Sequence, residues 1–207
     1  MRTRVKICGF TKAEDAVAAA YFGVDAIGLV FYPPSPRNVS IEQAINIVEA
    51  LPAFVSVVAL FVDEKESQIR DVLSKVSIDC IQFHGNETAK TCRVYNKPYM
   101  KAIRMKEGMD VANIAAQYDD ASALLLDAYH PGIKGGSGSQ FDWDLIPDNC
   151  SLPVILAGGL QVNNARQAVQ KVKPYALDVS SGVESAKGIK DVAKMAAFIQ
   201  EIKEGDR

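Results

Sequence analysis

Short apolar runs alternate along the chain with stretches whose apolar positions recur at the spacing of an α-helix. The apolar runs are rich in valine, isoleucine and leucine, and most of them are followed by glycine, proline or serine. Runs of this kind are typical of strands buried on both faces of a parallel sheet. The pattern predicts eight strands, at residues 3–8, 26–31, 55–62, 80–84, 99–103, 123–127, 154–157 and 176–180.

Amphipathic stretches between the apolar runs predict helices. The clearest are TKAEDAVAAAYF, SIEQAINIVEAL, EKESQIRDVLSKV and DVAKMAAFIQEIKE. Thr11 with Glu14, and Ser40 with Gln43, have the spacing of capping boxes, in which two side chains satisfy free backbone N–H groups. We therefore expect one helix to begin beside Thr11 and another beside Ser40.

Strands that alternate with helices fit either an open doubly wound sheet or a closed barrel. Eight strand–helix units favour an α/β fold of the (βα)8 TIM barrel type with eight parallel strands, and 207 residues is the small end of the barrel size range. With 48% hydrophobic residues, a chain of this length can bury one large core. We expect residues 1–207 to form a single barrel domain.

One connection, AYHPGIKGGSGSQFDW at residues 128–143, is too long and too rich in glycine for an economical barrel loop. Long loops in compact domains are often functional. This loop follows the sixth predicted strand, on the C-terminal face where barrel active sites lie, so we predict that it is a lid.

Composition excludes several classes of partner. The formal net charge is only −2, so the basic stripe of a nucleic-acid-binding protein is not expected. No stretch approaches the ~18 apolar residues that span a membrane, and the first residues do not resemble a secretory leader. The four cysteines are far apart without a C-x-x-C pair, which predicts reduced thiols in the cytoplasm and no metal site. Small molecules are the expected partners.

Cys8 and Asp127 are candidate catalytic residues, because each of them ends a predicted strand. Cys8 shares one strand face with Lys6 and precedes a glycine, while Asp127 ends the run ALLLD. In a barrel both side chains open onto the C-terminal face. A free cysteine is most often a small buried hydrophobe, and a carboxylate after a strand often marks only its exit into water. A thiol and a carboxyl facing one mouth favour acid–base catalysis.

Two glycine turns, LAGGL and DVSSGVE, follow the last two predicted strands. In barrels the loops at this place often bind phosphate through backbone N–H groups, helped by a helix N-terminus. We therefore predict a phosphorylated small-molecule substrate, bound by Gly158, Gly159, Ser180, Ser181 and Gly182.

Arg37 lies in the proline-rich stretch YPPSPRNVS after the second predicted strand. A surface arginine is normally solvated, but prolines reduce the entropy lost in presenting it, and a guanidinium binds a carboxylate through two parallel hydrogen bonds. The sequence therefore predicts a second anion site besides the phosphate site. Lys6 and Asp178 are on the inward faces of the first and last strands, so we expect an interior ion pair there instead of ligands.

Taken in order, these motifs resemble phosphoribosylanthranilate isomerase, a single-domain barrel of tryptophan biosynthesis. The resemblance rests on KICG, FYPPSPRNVS, IQFHG, LLLDAYHPGIKGGSGSQFDW, LAGGL and DVSSGVE, which cover nearly the whole chain. It implies an Amadori rearrangement of N-(5′-phosphoribosyl)anthranilate to 1-(o-carboxyphenylamino)-1-deoxyribulose 5-phosphate. It also implies that no cofactor or metal takes part, and the expected assembly is a monomer or a homodimer.

The resemblance also implies roles for individual residues. Asp127 is expected to be the general acid that protonates the ring oxygen, and Cys8 the general base that removes the C2′ proton. Arg37 is expected to hold the anthranilate carboxylate, and the glycine turns the phosphate. His84, within the matching IQFHG motif, is added as a candidate substrate-binding residue.

Two alternatives remain at this point. A sugar-phosphate isomerase of histidine biosynthesis performs the same rearrangement on an aminoimidazole-bearing substrate, but that resemblance calls for an aspartate where Cys8 stands. A non-catalytic phosphate sensor on a barrel would use Cys8 for structure or redox chemistry. Turnover of the anthranilate substrate distinguishes all three.

Overall fold

Eight parallel strands form a closed barrel in the computed structural model, which describes residues 2–128, 141–147 and 149–207. Strand order follows the sequence, and β1 pairs with β8 to close the ring. The strands are β1 (Arg4–Cys8), β2 (Ala26–Val30), β3 (Ser56–Phe61), β4 (Cys80–Phe83), β5 (Tyr99–Met105), β6 (Ala123–Ala128), β7 (Val154–Leu156) and β8 (Ala176–Val179). All eight predicted strands are confirmed, with ends that differ by one or two residues.

Helices cover the outside of the barrel, and a short antiparallel hairpin follows β8. The helices are α1 (Ala13–Phe22), α2 (Ile41–Glu49), α3 (Glu66–Lys75), α4 (Ala89–Cys92), α5 (Val111–Gln117), α6 (Val162–Val172) and α7 (Val192–Gly205), and the hairpin strands are β9 (Glu184–Ala186) and β10 (Ile189–Lys190). The four helices that the sequence predicts most clearly correspond to α1, α2, α3 and α7.

One of the two predicted capping boxes forms. The Ser40 hydroxyl accepts from the Gln43 N–H at 3.1 Å, and the Ser40 N–H donates to the Gln43 side chain at 2.9 Å. The prediction of a capping box at Thr11 is wrong. Helix α1 begins one residue later, and the side chain of its N-cap residue, Lys12, makes no capping hydrogen bond. The Thr11 hydroxyl donates instead to the Gly188 carbonyl at 2.7 Å, which connects the loop before α1 to the hairpin.

The main hydrophobic core lies between the strand ring and the helices. Its largest members, including Phe10, Phe83 and Phe198, are fully buried. A smaller apolar cluster fills the middle of the barrel, around Met100 and Leu125. No helix among the described residues is long and apolar enough to cross a membrane.

The predicted interior ion pair is confirmed. Register between β1 and β8 places Lys6 beside Asp178, and the Lys6 ammonium lies 2.9 Å from each oxygen of that carboxylate. Both side chains are buried, so they pair inside the barrel just below its C-terminal mouth. Of the predicted lid, only Ala128 and residues 141–143 are described; residues 129–140 lie outside the described residues.

Candidate active site

A pocket opens among the carboxyl ends of the strands, where the sequence predicts the site. Its walls come from the ends of six strands and from connecting loops, among them the loop after β7, and they include every predicted site residue except Gly182. The predicted residues that line it are Cys8, Arg37, His84, Asp127, Gly158, Gly159, Ser180 and Ser181. The closed barrel thus brings residues from all along the chain into one mouth.

Cys8 is the last residue of β1, and its thiol is nearly buried at 6% exposure. Burial raises the pKa of the Cys8 thiol, and the ammonium groups of Lys6 and Lys190 oppose that rise. Gly28 pairs with Cys8 across β1 and β2, and a Cβ there would lie only 2.6 Å from the sulfur. Glycine at position 28 therefore provides the space that the thiol occupies.

Asp127 is held by hydrogen bonds at both of its carboxylate oxygens. Oδ1 accepts from the Ala128 N–H at 2.9 Å, and Oδ2 lies 3.0 Å from Nε2 of His84. Nδ1 of His84 in turn lies 2.9 Å from Nε2 of Gln82. Gly158, at φ 78°, passes directly over Asp127, and a Cβ there would lie 2.8 Å from Oδ1. This turn therefore shapes the site of the carboxyl as well as any phosphate site.

Arg37 reaches the pocket as part of a buried ion pair instead of as a solvated loop residue. Its Nε and Nη2 atoms donate to the two oxygens of Glu184 at 2.7 and 2.8 Å. Lys190, whose side chain is fully buried, donates to the same Glu184 carboxylate at 2.9 Å and to the Cys8 carbonyl at 2.7 Å. Burial raises the pKa of Glu184, but the hydrogen bonds from both cations hold it below its usual value. One network therefore positions both Arg37 and the backbone of Cys8.

The two glycine turns pack against each other. Gly159 has a φ of 66°, and its carbonyl accepts from the Asn164 side chain at 2.9 Å as the chain enters α6. A Cβ at Gly182 would collide with the Leu160 carbonyl and lie 2.9 Å from the Gln161 Cα. Gly182 therefore does not line the pocket; it lets the second turn approach the first.

The two serines of DVSSGVE differ in their surroundings. The Ser180 hydroxyl donates to the Cys8 carbonyl at 2.9 Å, so in this state it is already engaged within the protein. Ser181 lines the pocket and begins the one-turn helix Ser181–Val183. Of the two side chains, that of Ser181 is the better placed to reach an anion in the pocket.

Several residues of the site were not singled out from the sequence. Gln82 precedes His84 by two positions, so strand alternation alone places both on the inward face. Gly28, Glu184 and Lys190 carry no local signal, because their partners are distant in the chain. No group of three or more potential metal ligands occurs within the described part of the chain.

Comparison with known proteins gives a consistent result. Residues 5–201 match the family model described as N-(5′-phosphoribosyl)anthranilate (PRA) isomerase. A protein of Nitrosococcus oceani named N-(5′-phosphoribosyl)anthranilate isomerase is 58% identical over 200 residues, which cover 97% of each chain. The crystal structure of phosphoribosyl anthranilate isomerase from Thermotoga maritima is 40% identical, with a TM-score of 0.89 over 98% of this chain and 99% of that one. A solved complex of phosphoribosyl anthranilate isomerase with reduced 1-(o-carboxyphenylamino)-1-deoxyribulose 5-phosphate is 39% identical, with a TM-score of 0.86 over 98% and 99% of the two chains.

Proposed function

The chain belongs to the N-(5′-phosphoribosyl)anthranilate isomerase family, and from this membership we propose how its pocket performs the reaction. It is an isomerase of tryptophan biosynthesis that converts N-(5′-phosphoribosyl)anthranilate to 1-(o-carboxyphenylamino)-1-deoxyribulose 5-phosphate by an Amadori rearrangement. The reaction requires an acid at the furanose ring oxygen and a base at C2′. The observation that supports these roles best is one pocket lined by both a thiol, from Cys8, and a carboxyl, from Asp127.

Asp127 is the proposed general acid, and Cys8 the proposed general base. Protonation of the ring oxygen by Asp127 breaks its bond to C1′ and opens the ring to an iminium ion. The iminium acidifies the neighbouring C2′–H, and the Cys8 thiolate removes that proton to give an enolamine, which tautomerises to the ketone product. The rearrangement moves protons within one molecule without net oxidation, so we propose that neither a cofactor nor a metal takes part.

Two buried cations support the ionised form of Cys8. Lys6 and Lys190 both lower the pKa of the thiol against the effect of burial. Lys6 is paired with Asp178, whereas Lys190 and Arg37 share Glu184, so the second cluster has one more positive than negative charge when the thiol is neutral. This excess of positive charge beside Cys8 stabilises a transient thiolate.

The substrate has an anion at each end, and the pocket offers a matching group on each side. We propose that the phosphate binds at the turns around Gly159 and Ser181, and that the anthranilate carboxylate faces Arg37. Both ring nitrogens of His84 are already bound to protein groups. We therefore assign His84 to orienting Asp127, in place of the substrate contact that the sequence suggested.

A turnover assay tests this proposal. The purified protein is mixed with N-(5′-phosphoribosyl)anthranilate, and decay of the fluorescence of the adduct is followed. We expect saturable turnover with this substrate and none with the aminoimidazole-bearing substrate of the related histidine-pathway rearrangement. An enzyme that leaves the anthranilate adduct unchanged would contradict the proposal.

Replacement of Arg37 by alanine is expected to raise KM and lower kcat/KM by an amount equivalent to about 2 kcal/mol, because a bidentate contact to the carboxylate is lost. Glu184 keeps its hydrogen bond from Lys190, so the variant does not leave that carboxylate unpaired. Arg166, which forms a partly exposed pair with Glu201, provides the control, since Arg166→Ala should leave both constants unchanged. If kcat/KM is unchanged in Arg37→Ala, the carboxylate binds elsewhere.

Replacement of Gly159 by valine is expected to weaken competitive inhibition by inorganic phosphate by at least ~10-fold, because a β-branched residue resists a φ of 66° and adds bulk to the turn. Gly108→Val is the matched control: Gly108 has a φ of 78° but lies in open space away from the pocket. Unaltered phosphate inhibition in Gly159→Val would show that the phosphate binds elsewhere. Gly205 is unsuitable as a control, because a Cβ there would lie 2.9 Å from Val169.

The remaining partner predictions follow from the surface and the thiols. We propose that the enzyme acts in the cytoplasm and does not bind nucleic acid.

The exposed ring of Phe54 supports a homodimer, which we propose as the assembly of the enzyme. Phe54 lies before β3, is fully exposed and has a φ of 70°, an unfavourable conformation for a bulky side chain. A second copy covering this ring would offset the strain. Sedimentation velocity is expected to give a dimer that Phe54→Asp dissociates, and a monomeric wild-type enzyme would contradict this.

A further inference from the structure

Gln82 contains an unsatisfied buried acceptor next to the proposed acid. The residue lies in β4, is only 1% exposed and lines the pocket. Its side-chain nitrogen Nε2 contacts Nδ1 of His84 at 2.9 Å, whereas its buried oxygen Oε1 has no hydrogen-bond partner among the residues that the structure describes. Leaving a buried carbonyl unpaired is unfavourable, and rotation of the amide would pair this oxygen with His84 while leaving the Nε2 hydrogens unpaired in its place, so neither orientation satisfies every polar atom and the two are close in hydrogen bonding.

The observed orientation of this amide fixes the protons of its neighbours. An amide nitrogen only donates, so Nδ1 of His84 accepts, and the proton of the neutral ring lies on Nε2. Nε2 then donates to Oδ2 of Asp127, while the Ala128 N–H donates to Oδ1. A donor at each oxygen matches the hydrogen bonding of a carboxylate, which is the form of Asp127 after it has given up a proton.

Rotation of the Gln82 amide by 180° reverses this arrangement without moving any other atom, because its oxygen and nitrogen are similar in size. Oε1 then accepts a hydrogen bond from Nδ1–H of His84. The lone pair of Nε2 now faces Asp127 and accepts from a protonated Oδ2. This second form contains one more proton than the first, taken up from solvent onto Asp127, and the histidine proton lies on Nδ1 instead of Nε2.

We propose that Gln82 is a positioning residue whose amide rotation switches the tautomer of His84 and thereby allows Asp127 to alternate between carboxylic acid and carboxylate. The proposal rests on the proposed role of Asp127 as general acid. Other charged or titratable groups face His84 and Asp127 from the neighbouring strands, and their charges act on both forms. They are Lys6 and Cys8 of β1, Arg104 of β5, whose guanidinium donates to the His84 carbonyl, and Asp178 of β8.

Nitrogen NMR of the full-length enzyme measures the tautomer directly. The chain has only two histidines, so ¹⁵N-histidine labelling gives few signals, and loss of one set in His84→Gln assigns them. We expect the Nδ1–H form at low pH and the Nε2–H form at high pH. The change should coincide with the alkaline fall of kcat, where the acid loses its proton. One tautomer that persists through this fall would overturn the proposal.

Two variants test the same switch by kinetics. Gln82→Glu, when its carboxyl is ionised, supplies only acceptors, so in the alkaline range it should hold the Nδ1–H form and move the alkaline fall of kcat upwards by at least ~1 pH unit, a tenfold change in proton affinity. Leucine in Gln82→Leu supplies neither a hydrogen-bond donor nor an acceptor to His84, so kcat should fall by about tenfold or more while KM changes little. Gln200→Leu, in which an exposed glutamine of α7 is changed, serves as the control.

The outcomes separate this proposal from the proposed function. An unchanged pH profile in both folded Gln82 variants would overturn the amide switch and leave Asp127 as the acid. Absence of turnover in the wild-type enzyme would instead contradict the proposed function, while the tautomer measurement would still decide whether the amide rotates. Should either variant fail to fold, the NMR titration of the wild-type enzyme remains decisive.

Discussion

Cys8→Ala is expected to lower kcat by at least ~10²-fold while leaving the barrel folded, because it removes the group that takes the C2′ proton. The thiol occupies a space that Gly28 leaves open, so a smaller side chain there creates no clash. The rate is measured by the fluorescence assay, and folding by circular dichroism. Cys150→Ala, at a half-buried cysteine outside the pocket, is the control and should keep full activity.

The pH dependence of the wild-type enzyme provides a second test of Cys8. A base acts only after losing its proton, and burial raises the pKa of this thiol. The thiolate fraction at neutral pH is therefore small, and alkylation of Cys8 by iodoacetamide should accelerate with pH further into the alkaline range than for an ordinary thiol. A folded Cys8→Ala enzyme with near-normal kcat would contradict the assignment of the base, and an alkylation rate that does not increase with pH would contradict the raised pKa of the thiol.

Asp127→Asn is expected to lower kcat by ~10² to 10⁴-fold, with a smaller change in KM. Asparagine has nearly the same shape, and its one side-chain oxygen can still accept from the Ala128 N–H while its amide nitrogen faces His84 as a donor, but it has no acidic proton to give to the ring oxygen. Since ring opening precedes proton removal, loss of the acid blocks the first step. The product is quantified in single-turnover experiments, which separate chemistry from product release.

Two comparisons make the Asp127 result specific. Asp144→Asn, in which an exposed aspartate paired with Lys171 is changed, should be as active as the wild-type enzyme. A substrate analogue that is already open at the ring should partly escape the defect of Asp127→Asn but not that of Cys8→Ala. Equal defects with the open-chain analogue would place Asp127 at a later step.

The strands and their order could be predicted from the sequence because parallel strands buried on both faces leave continuous apolar runs. The strand-end positions of Cys8 and Asp127 followed from the same pattern. Local chemistry was less informative: the Thr11 and Ser40 motifs have the same spacing, yet only Ser40 caps a helix. The hydroxyl of Thr11 has a tertiary partner, the Gly188 carbonyl, which no local pattern reveals.

The surroundings of Arg37 could not be predicted for a similar reason. Its partner Glu184 is 147 residues away, and the two meet only because the hairpin after β8 folds back over the start of the chain. Gln82 is a different case, since alternation along β4 would have placed it on the inward face beside His84. What the sequence does not reveal is that no described residue gives its side-chain carbonyl a hydrogen bond.

Closure of the ring through β1 and β8 also orders events during protein synthesis. The groups that hold the Cys8 carbonyl, Ser180 and Lys190, are 172 and 182 residues further along the chain. Until β8 and the hairpin after it have been made, β1 has only β2 as a neighbour, and the Cys8 thiol has Lys6 beside it but lacks Lys190 and Asp178, the partner of Lys6. A nascent chain therefore completes its catalytic centre only after Lys190 has been added and β8 has closed the ring, and a product that terminates before this point lacks one.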